Sequence, residues 1–180
     1  MKHEALSAEI ALIKDETLRQ TVRDYFDNAV HDYFYTIAAS TTGKYHPEID
    51  LGVGGLVRHT QMCVRVAQEL LNLTMFSKIE HDIVISALLI HDSQKCGDGK
   101  SQYSLHEHPA LAADAFMRFA ASTKVPVPTI NAICKCVRSH MGQWNKNPYS
   151  KAELPLPCDK NEKFVHLCDY IASRKFIGNL

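Results

Sequence analysis

The residues of this chain whose types and spacing could do chemistry are four histidines and two aspartates. They follow in the order His59, His91, Asp92, His108, His140 and Asp169. One adjacent His-Asp pair carries little weight, but helical spacing puts the other four near helix ends or on core-facing stripes. Burying an ionisable side chain without a partner is costly, and metal coordination removes that cost. The pattern therefore predicts a buried metal centre.

The donor types indicate which metals such a centre would hold. Six nitrogen and oxygen donors exceed the four ligands of a structural zinc site, and we expect no thiolate among them. This set favours iron or manganese and leaves nickel, cobalt, zinc or magnesium open. We therefore expect two divalent transition metal ions rather than one.

The apolar residues recur with helical periodicity almost everywhere, and no segment alternates strictly over more than a few residues. These patterns predict an all-α, single-domain helical bundle. We expect N-terminal helices within residues 1–53 to pack on a core formed by residues 54–180, as one globular unit. The metal site should lie between helices of that core.

The predicted helices in the first half of the core position three of the candidate ligands. A helix from about Leu56 to Leu71 turns His59 toward the interior, on the same face as its apolar residues. The next helix is expected to begin at Ser77, a favoured N-cap residue, and to end at His91 and Asp92. The pair should therefore lie at the end of a buried helix.

The predicted helices in the second half of the core position the other three candidate ligands. Pro109 suits the first position of a helix and puts His108 at its start. Thr129 is expected to cap a helix with His140 in its last turn, before Gly142. Asp169 should lie on a final helix, beside its buried face.

Composition narrows the classes of function. Residues 1–90 carry 8 basic and 12 acidic side chains, and residues 91–180 carry 12 and 8. The net charge of zero argues against a protein that coats nucleic acid, whereas the basic second half could attract an anionic ligand. The longest apolar run is too short to cross a bilayer, and the charged N-terminus does not look like a signal peptide. We expect a cytoplasmic protein without membrane association.

Five segments carry a resemblance to the HD-domain metal-dependent phosphohydrolase superfamily, in its binuclear, single-HD-domain form. They are GGLVRHT at His59, HDSQKCG at His91 and Asp92, HEHPALAA at His108, VRSHMG at His140 and VHLCDYIASR at Asp169. The resemblance spans residues 54 to 174. It implies that His59, His91, Asp92 and Asp169 hold one ion, and that Asp92 bridges to a second ion held by His108 and His140.

The resemblance also implies an activity. It predicts hydrolysis of a phosphate ester of a nucleotide or related small phosphorylated molecule, by a hydroxide that two metal ions activate. Asp92 and Lys95 would be the catalytic residues, since Lys95 matches the lysine of the HDxxK pattern and could contact the phosphate. The alternative for Lys95 is a solvated loop lysine.

Other interpretations stay open. The chain lacks the GYP motif of cyclic-dinucleotide phosphodiesterases. The segment around His59 also resembles bacterial 3′-5′ exoribonucleases, but their nucleic-acid-binding domain would not fit into the residues before it. A phosphodiesterase or exonuclease that acts on short oligonucleotides is therefore the second hypothesis. A non-catalytic, metal-stabilised ligand-sensing module is the third. His106 competes with His108 as a ligand, and the His-Pro pair favours His108.

The substrate-binding residues that we expect, besides Lys95, are Lys44, Tyr45, Trp144 and Arg174. Trp144 could stack on a base or anchor a proline-rich loop that spans residues 143–158. Lys44 and Tyr45 could form the rim of the pocket, and Arg174 could reach a phosphate. We expect a small phosphorylated partner and no stable nucleic-acid complex, and an oligomer is compatible with the sequence.

Overall fold

The computed structural model of the protein describes residues 1–101 and 103–176. These residues form an all-helical structure without a strand, 59% of it helix, which confirms the predicted fold class. Its α-helices are α1 (Ser7–Ile10), α2 (Glu16–Asn28), α3 (Gly55–Leu71), α4 (Lys78–Ile90), α5 (His108–Ala120), α6 (Val127–Ser139) and α7 (Lys160–Ala172). Short 3-10 turns cover Lys2–Leu6, Asp32–Tyr35, Glu48–Leu51 and Gly142–Trp144.

Side-chain caps begin three of the seven α-helices, with Asp15 before α2, Ser77 before α4 and Asp159 before α7. Ser77 begins α4 with a capping box, in which its hydroxyl accepts from the backbone N–H of Glu80 and the Glu80 carboxylate accepts from that of Ser77. The predicted cap at Thr129 is wrong, because α6 begins two residues earlier, at Val127. Pro128 lies in the first turn, where its fixed φ suits a helix and its missing N–H costs nothing, so the helix can start before Thr129.

The central element is α4, which is buried from Asp82 to Ile90. It packs against α3, α5, α6 and α7, and α1 also contacts it. Because α4 has neighbours on most sides, the residues that follow its last turn lie inside the molecule. Neither α4 nor any other helix of the described residues has the length and apolar character needed to cross a membrane.

The N-terminal segment joins the same hydrophobic core, which includes residues from Leu6 to Ala172. Tyr25 on α2 forms a buried hydrogen bond of 2.8 Å with the hydroxyl of Ser93, directly after the His-Asp pair. All six cysteines carry free thiols, and only Cys158 is exposed. The division of the chain at residue 53 stays a prediction.

A close backbone approach precedes α3. Gly54 has a positive φ of 72°, which favours glycine. A Cβ on Gly55 would lie 2.0 Å from the carbonyl oxygen of Asp50. The second glycine therefore lets the Glu48–Leu51 turn lie against the start of α3, which brings Asp50 beside His59.

Replacing Gly55 with alanine should destabilise the protein by about 1–3 kcal/mol, the usual cost of overpacking, because the new methyl group meets backbone rather than a mobile side chain. Urea unfolding would measure this loss. Gly52→Ala is the matched control, since a Cβ there meets only the far end of Arg58 at 3.8 Å. Equal stability of the two variants would contradict the close approach.

Candidate metal centre

The structure brings all six predicted ligands together in the interior, between the helices α3 to α7. His59 lies in the second turn of α3, and His108 begins α5. His91 and His140 are the residues that follow α4 and α6, Asp92 comes next, and Asp169 lies in α7. Five of the six side chains are at least 95% buried, and that of Asp169 is 19% exposed.

One group of donors surrounds the Oδ2 atom of Asp92 and the Oδ1 atom of Asp169. His59 Nε2 lies 3.0 Å from Asp169 Oδ1 and 3.9 Å from Asp92 Oδ2. His91 Nε2 lies 3.4 Å from Asp92 Oδ2 and 3.8 Å from Asp169 Oδ1. Two imidazole nitrogens and two carboxylate oxygens therefore point at a common centre.

A second group faces the other oxygen of Asp92. His108 Nε2 lies 2.9 Å from Asp92 Oδ1, and His140 Nε2 lies 3.8 Å from it. The two Nε2 atoms are 3.2 Å apart. The carboxylate of Asp92 thus stands between two sets of histidines, with one oxygen directed at each.

Backbone carbonyls fix the tautomer of three of these histidines. His91 Nδ1 lies 2.6 Å from the carbonyl oxygen of Leu88, and His108 Nδ1 lies 2.6 Å from that of Leu105. His140 Nδ1 lies 2.8 Å from the carbonyl oxygen of Val137. A carbonyl oxygen only accepts, so Nδ1 must carry the proton and Nε2 presents a lone pair in the neutral ring. A hydrogen bond from each ring to a carbonyl is the usual support of a metal-binding histidine.

Acceptor atoms therefore face acceptor atoms across the centre. His91 Nε2 and Asp92 Oδ1 are buried and have no hydrogen-bond partner. Lone pairs and carboxylate oxygens at these separations repel one another unless a proton or a cation lies between them. The donor set therefore fits metal binding at this centre.

The pKa directions of the histidines favour metal binding for two of the rings. Burial lowers the pKa of His59, and burial with the nearby rings of His91 and His108 lowers the pKa of His140 to about 3. Burial also disfavours the charged form of His91, but the adjoining Asp92 outweighs it and raises the pKa of His91. The lowered pKa keeps the rings of His59 and His140 neutral at physiological pH, as ligands must be.

Both aspartates remain ionised. Burial opposes their charge, but Lys95 and the imidazoles hold the pKa of Asp92 well below its usual range. The imidazole of His59, whose Nε2 atom lies 3.0 Å from Asp169 Oδ1, outweighs burial and lowers the pKa of Asp169. Lys95 Nζ lies 2.5 Å from Asp92 Oδ2, and its side chain is only 11% exposed. The alternative of a solvated loop lysine is therefore wrong for Lys95.

Three further residues border the centre and escaped the sequence analysis as possible ligands. Cys63 Sγ lies 3.5 Å from His59 Nε2, so a thiol borders the donors, while the expectation of no thiolate among them stays a prediction. Its place one helical turn after His59 could have revealed it. Burial raises the pKa of Cys63 well above its usual range, which keeps the thiol protonated.

His46 and Asp50 are the other two residues that border the centre. Asp50 Oδ2 lies 3.7 Å from His46 Nδ1 and 4.0 Å from His59 Nδ1, and it is buried without a hydrogen-bond partner. Asp50 thus stands behind His59 where the other three histidines have a carbonyl. At 4.0 Å the carboxylate of Asp50 makes no hydrogen bond to His59, so it does not hold this ring as the carbonyls hold the other three. No periodic pattern links a turn residue to His59, so this pair could not be predicted from the sequence.

His106 lies outside the centre. Its Nε2 atom is 3.1 Å from the carbonyl oxygen of Asn145, which ties the loop before α5 to the loop after α6. Of the two competing histidines, the structure therefore brings His108 into the ligand group.

A cleft of about 630 Å³ opens onto Asp92, Lys95 and Asp169. Its walls include all the residues that we expected to bind substrate, namely Lys44, Tyr45, Lys95, Trp144 and Arg174. Trp144 stacks on Tyr170, with ring centroids 5.6 Å apart and ring planes inclined by 17°. Outside the metal centre, the structure thus gathers aromatic and cationic side chains at the mouth of one cleft.

Comparisons of the chain with protein-family models, with curated proteins and with solved structures found no match. The described residues define an all-helical protein in which buried histidines and aspartates form groups that can hold metal ions. One such group joins His91, Asp92 and His140, and another joins His59, Cys63, His91 and Asp169.

Proposed function

We propose that this protein is an HD-type metal-dependent phosphohydrolase that holds two divalent ions, one on each side of Asp92. The observation that carries the proposal is that the two oxygens of Asp92 face separate histidine groups. Nitrogen and oxygen donors favour iron or manganese.

Residues of this chain would orient the metal ligands and stabilise the charge of the substrate. Asp92 spans the two ligand groups, and the carbonyls behind His91, His108 and His140 keep their Nε2 atoms directed inward. When bound, the two ions would lower the pKa of a water molecule and neutralise charge on the phosphate. Lys95 touches Asp92 and lines the cleft, so its ammonium group is near enough to stabilise charge that develops on the phosphate.

An anionic substrate is supported by the charges of the cleft. Its acidic lining residues are Asp92 and Asp169, both in the metal centre. Its other charged lining residues, apart from the histidines, are the cations Lys44, Lys95, Lys146 and Arg174. A volume of about 630 Å³ is in the range of small-molecule sites, which favours a nucleotide or a similar phosphorylated molecule.

The test is metal analysis together with hydrolysis. We expect protein loaded with manganese or iron(II) to hold close to two ions per chain and to hydrolyse bis-p-nitrophenyl phosphate. His108→Ala should lose an ion and most of the activity. His106→Ala is the matched control, because this neighbouring histidine bonds a backbone carbonyl outside the centre and should leave the metal content unchanged.

Two results would overturn the proposal. Stable metal binding without turnover, on this diester and on a panel of nucleotides, would favour the ligand-sensing module. A strong preference for short oligonucleotides over mononucleotides would favour the exonuclease.

A further inference from the structure

A sulfur atom stands among the donors on the His59 side of Asp92. Cys63 follows His59 by one turn of α3 and is fully buried, and its Sγ atom lies 3.5 Å from His59 Nε2 and 3.9 Å from His59 Nδ1. Within the described part of the chain, its thiol has no other hydrogen-bonding contact. The buried thiol of Cys134, by contrast, donates to the backbone carbonyl of Ala113. The thiol of Cys63 is therefore directed at the metal centre and not at the backbone.

The spacing of four donors on this side fits a single ion. Atoms that bind one ion at about 2.0–2.3 Å lie roughly 3–4 Å from one another. His59 Nε2 lies 3.5 Å from Cys63 Sγ and 3.0 Å from Asp169 Oδ1, and His91 Nε2 lies 3.8 Å from the same oxygen. One donor atom from each of these four residues lies within 4.8 Å of the other three. An ion held by His59, His91 and Asp169 would have the sulfur within reach.

The histidine that faces Cys63 and His59 from the end of α4 also indicates a ligand at this place. His91 is fully buried, and its Nε2 atom has no hydrogen-bond partner. A buried lone pair without a donor is costly, and an ion among the four donors removes that cost. The ion that satisfies His91 would therefore also meet the sulfur of Cys63.

We propose that Cys63 is a ligand of the ion on the His59 side of Asp92, so that this half of the centre prefers zinc or iron(II) to manganese. The inference rests on the metal centre of the proposed function and adds a ligand and a metal preference to it. It departs from the prediction that no thiolate is among the donors. Thiolate is a soft donor that suits zinc and iron, whereas His108, His140 and the other oxygen of Asp92 are nitrogen and oxygen donors that also suit manganese.

Metal binding by Cys63 would replace its S–H bond with a bond from sulfur to the metal. The proton leaves to solvent, the sulfur keeps the electron pair of the broken bond and donates it to the ion, and no atom is oxidised or reduced. A metal removes the proton of a coordinating thiol, so the protonated state of the metal-free thiol does not oppose this step. The ion and the ammonium group of Lys95, 2.5 Å from Asp92 Oδ2, would balance the negative charge of the buried thiolate.

Cobalt(II) is the probe, because a bond between cobalt and a thiolate absorbs strongly in the near ultraviolet. We expect this band to appear when cobalt is added to the metal-free protein. Cys63→Ala should abolish the band and weaken zinc binding by at least about tenfold, since loss of even a residue behind a ligand costs that much, and should change manganese binding less. Cys134→Ser is the matched control, because this buried thiol bonds a carbonyl outside the centre and its replacement should keep the band.

X-ray absorption on the zinc-loaded original protein needs no variant, and it decides the question if Cys63→Ala does not fold by circular dichroism. We expect a sulfur atom at about 2.3 Å from zinc. Uptake of cobalt and zinc without the band and without a sulfur neighbour would overturn the inference and leave the proposed metal centre standing, as would a band that persists in Cys63→Ala. A protein that takes up no ion would overturn the centre itself, and the inference with it.

Discussion

Asp92→Asn should reduce phosphate-ester hydrolysis by at least about 10³-fold, which corresponds to ~4 kcal/mol of transition-state stabilisation. Asparagine keeps the shape of the side chain but removes its charge and one of the two oxygens that face the histidine groups. We therefore expect the metal content to fall from about two ions per chain to one or fewer. Metal analysis and initial rates on bis-p-nitrophenyl phosphate measure the two effects on the same sample.

The control for this variant is Asp98→Asn. Asp98 is an exposed acid that pairs with Lys100 outside the cleft, so its replacement should change neither metal content nor rate. If Asp92→Asn retained two ions and a rate within about tenfold of the original protein, Asp92 would not be the bridging ligand.

Removing the metal should lower the melting temperature. A ligand that binds only the folded state stabilises it by about 4 kcal/mol when its concentration is a thousand times its Kd. For a domain of this length each kcal/mol shifts the melting temperature by about 2–4 °C, so we expect a difference of about 10 °C between manganese and EDTA. Repulsion among the buried acceptors of the centre adds to the instability of the metal-free form. Thermal unfolding followed by circular dichroism measures the shift.

The metal-dependent part of this stability should depend on pH. Histidine must be neutral to bind a metal, and of the ligands with a shifted pKa only His91 has its pKa raised, whereas those of His59 and His140 are lowered. The stabilisation should therefore be complete at pH 8 and should fall first where His91 takes up a proton, above the ordinary titration range of histidine. Asp92→Asn should show a much smaller shift at every pH. Identical melting curves with manganese and with EDTA at pH 7.5 would contradict a metal centre in the core.

The all-helical fold follows from the sequence because apolar residues with helical spacing identify the buried faces. Strong capping residues also mark several helix starts, as Ser77 does for α4. The convergence of the six donors could be expected for a related reason. His91 and Asp92 end the most apolar helix of the chain, and buried donors elsewhere must share that interior.

The contacts of the site that could not be predicted from the sequence are those that tertiary packing creates. The side chain of Asp50 lies beside His59 because the Glu48–Leu51 turn packs so closely against Gly55 that no Cβ would fit there. Hydrophobic periodicity in the sequence does not predict such a close approach. The burial of Lys95 likewise depends on how the turn after α4 folds back toward Asp92. Cys63 is a different case, because its place one helical turn after His59 can be read directly from the sequence.

The central claim is that Asp92 bridges two metal ions. The most direct measurement is a crystal structure of manganese-loaded protein with anomalous difference maps recorded at a wavelength where manganese scatters anomalously. We expect two peaks about 4 Å apart, one beside each carboxylate oxygen of Asp92. The first should lie among His59, His91 and Asp169, and the second between His108 and His140. A single peak, or two peaks that do not share Asp92, would contradict the account.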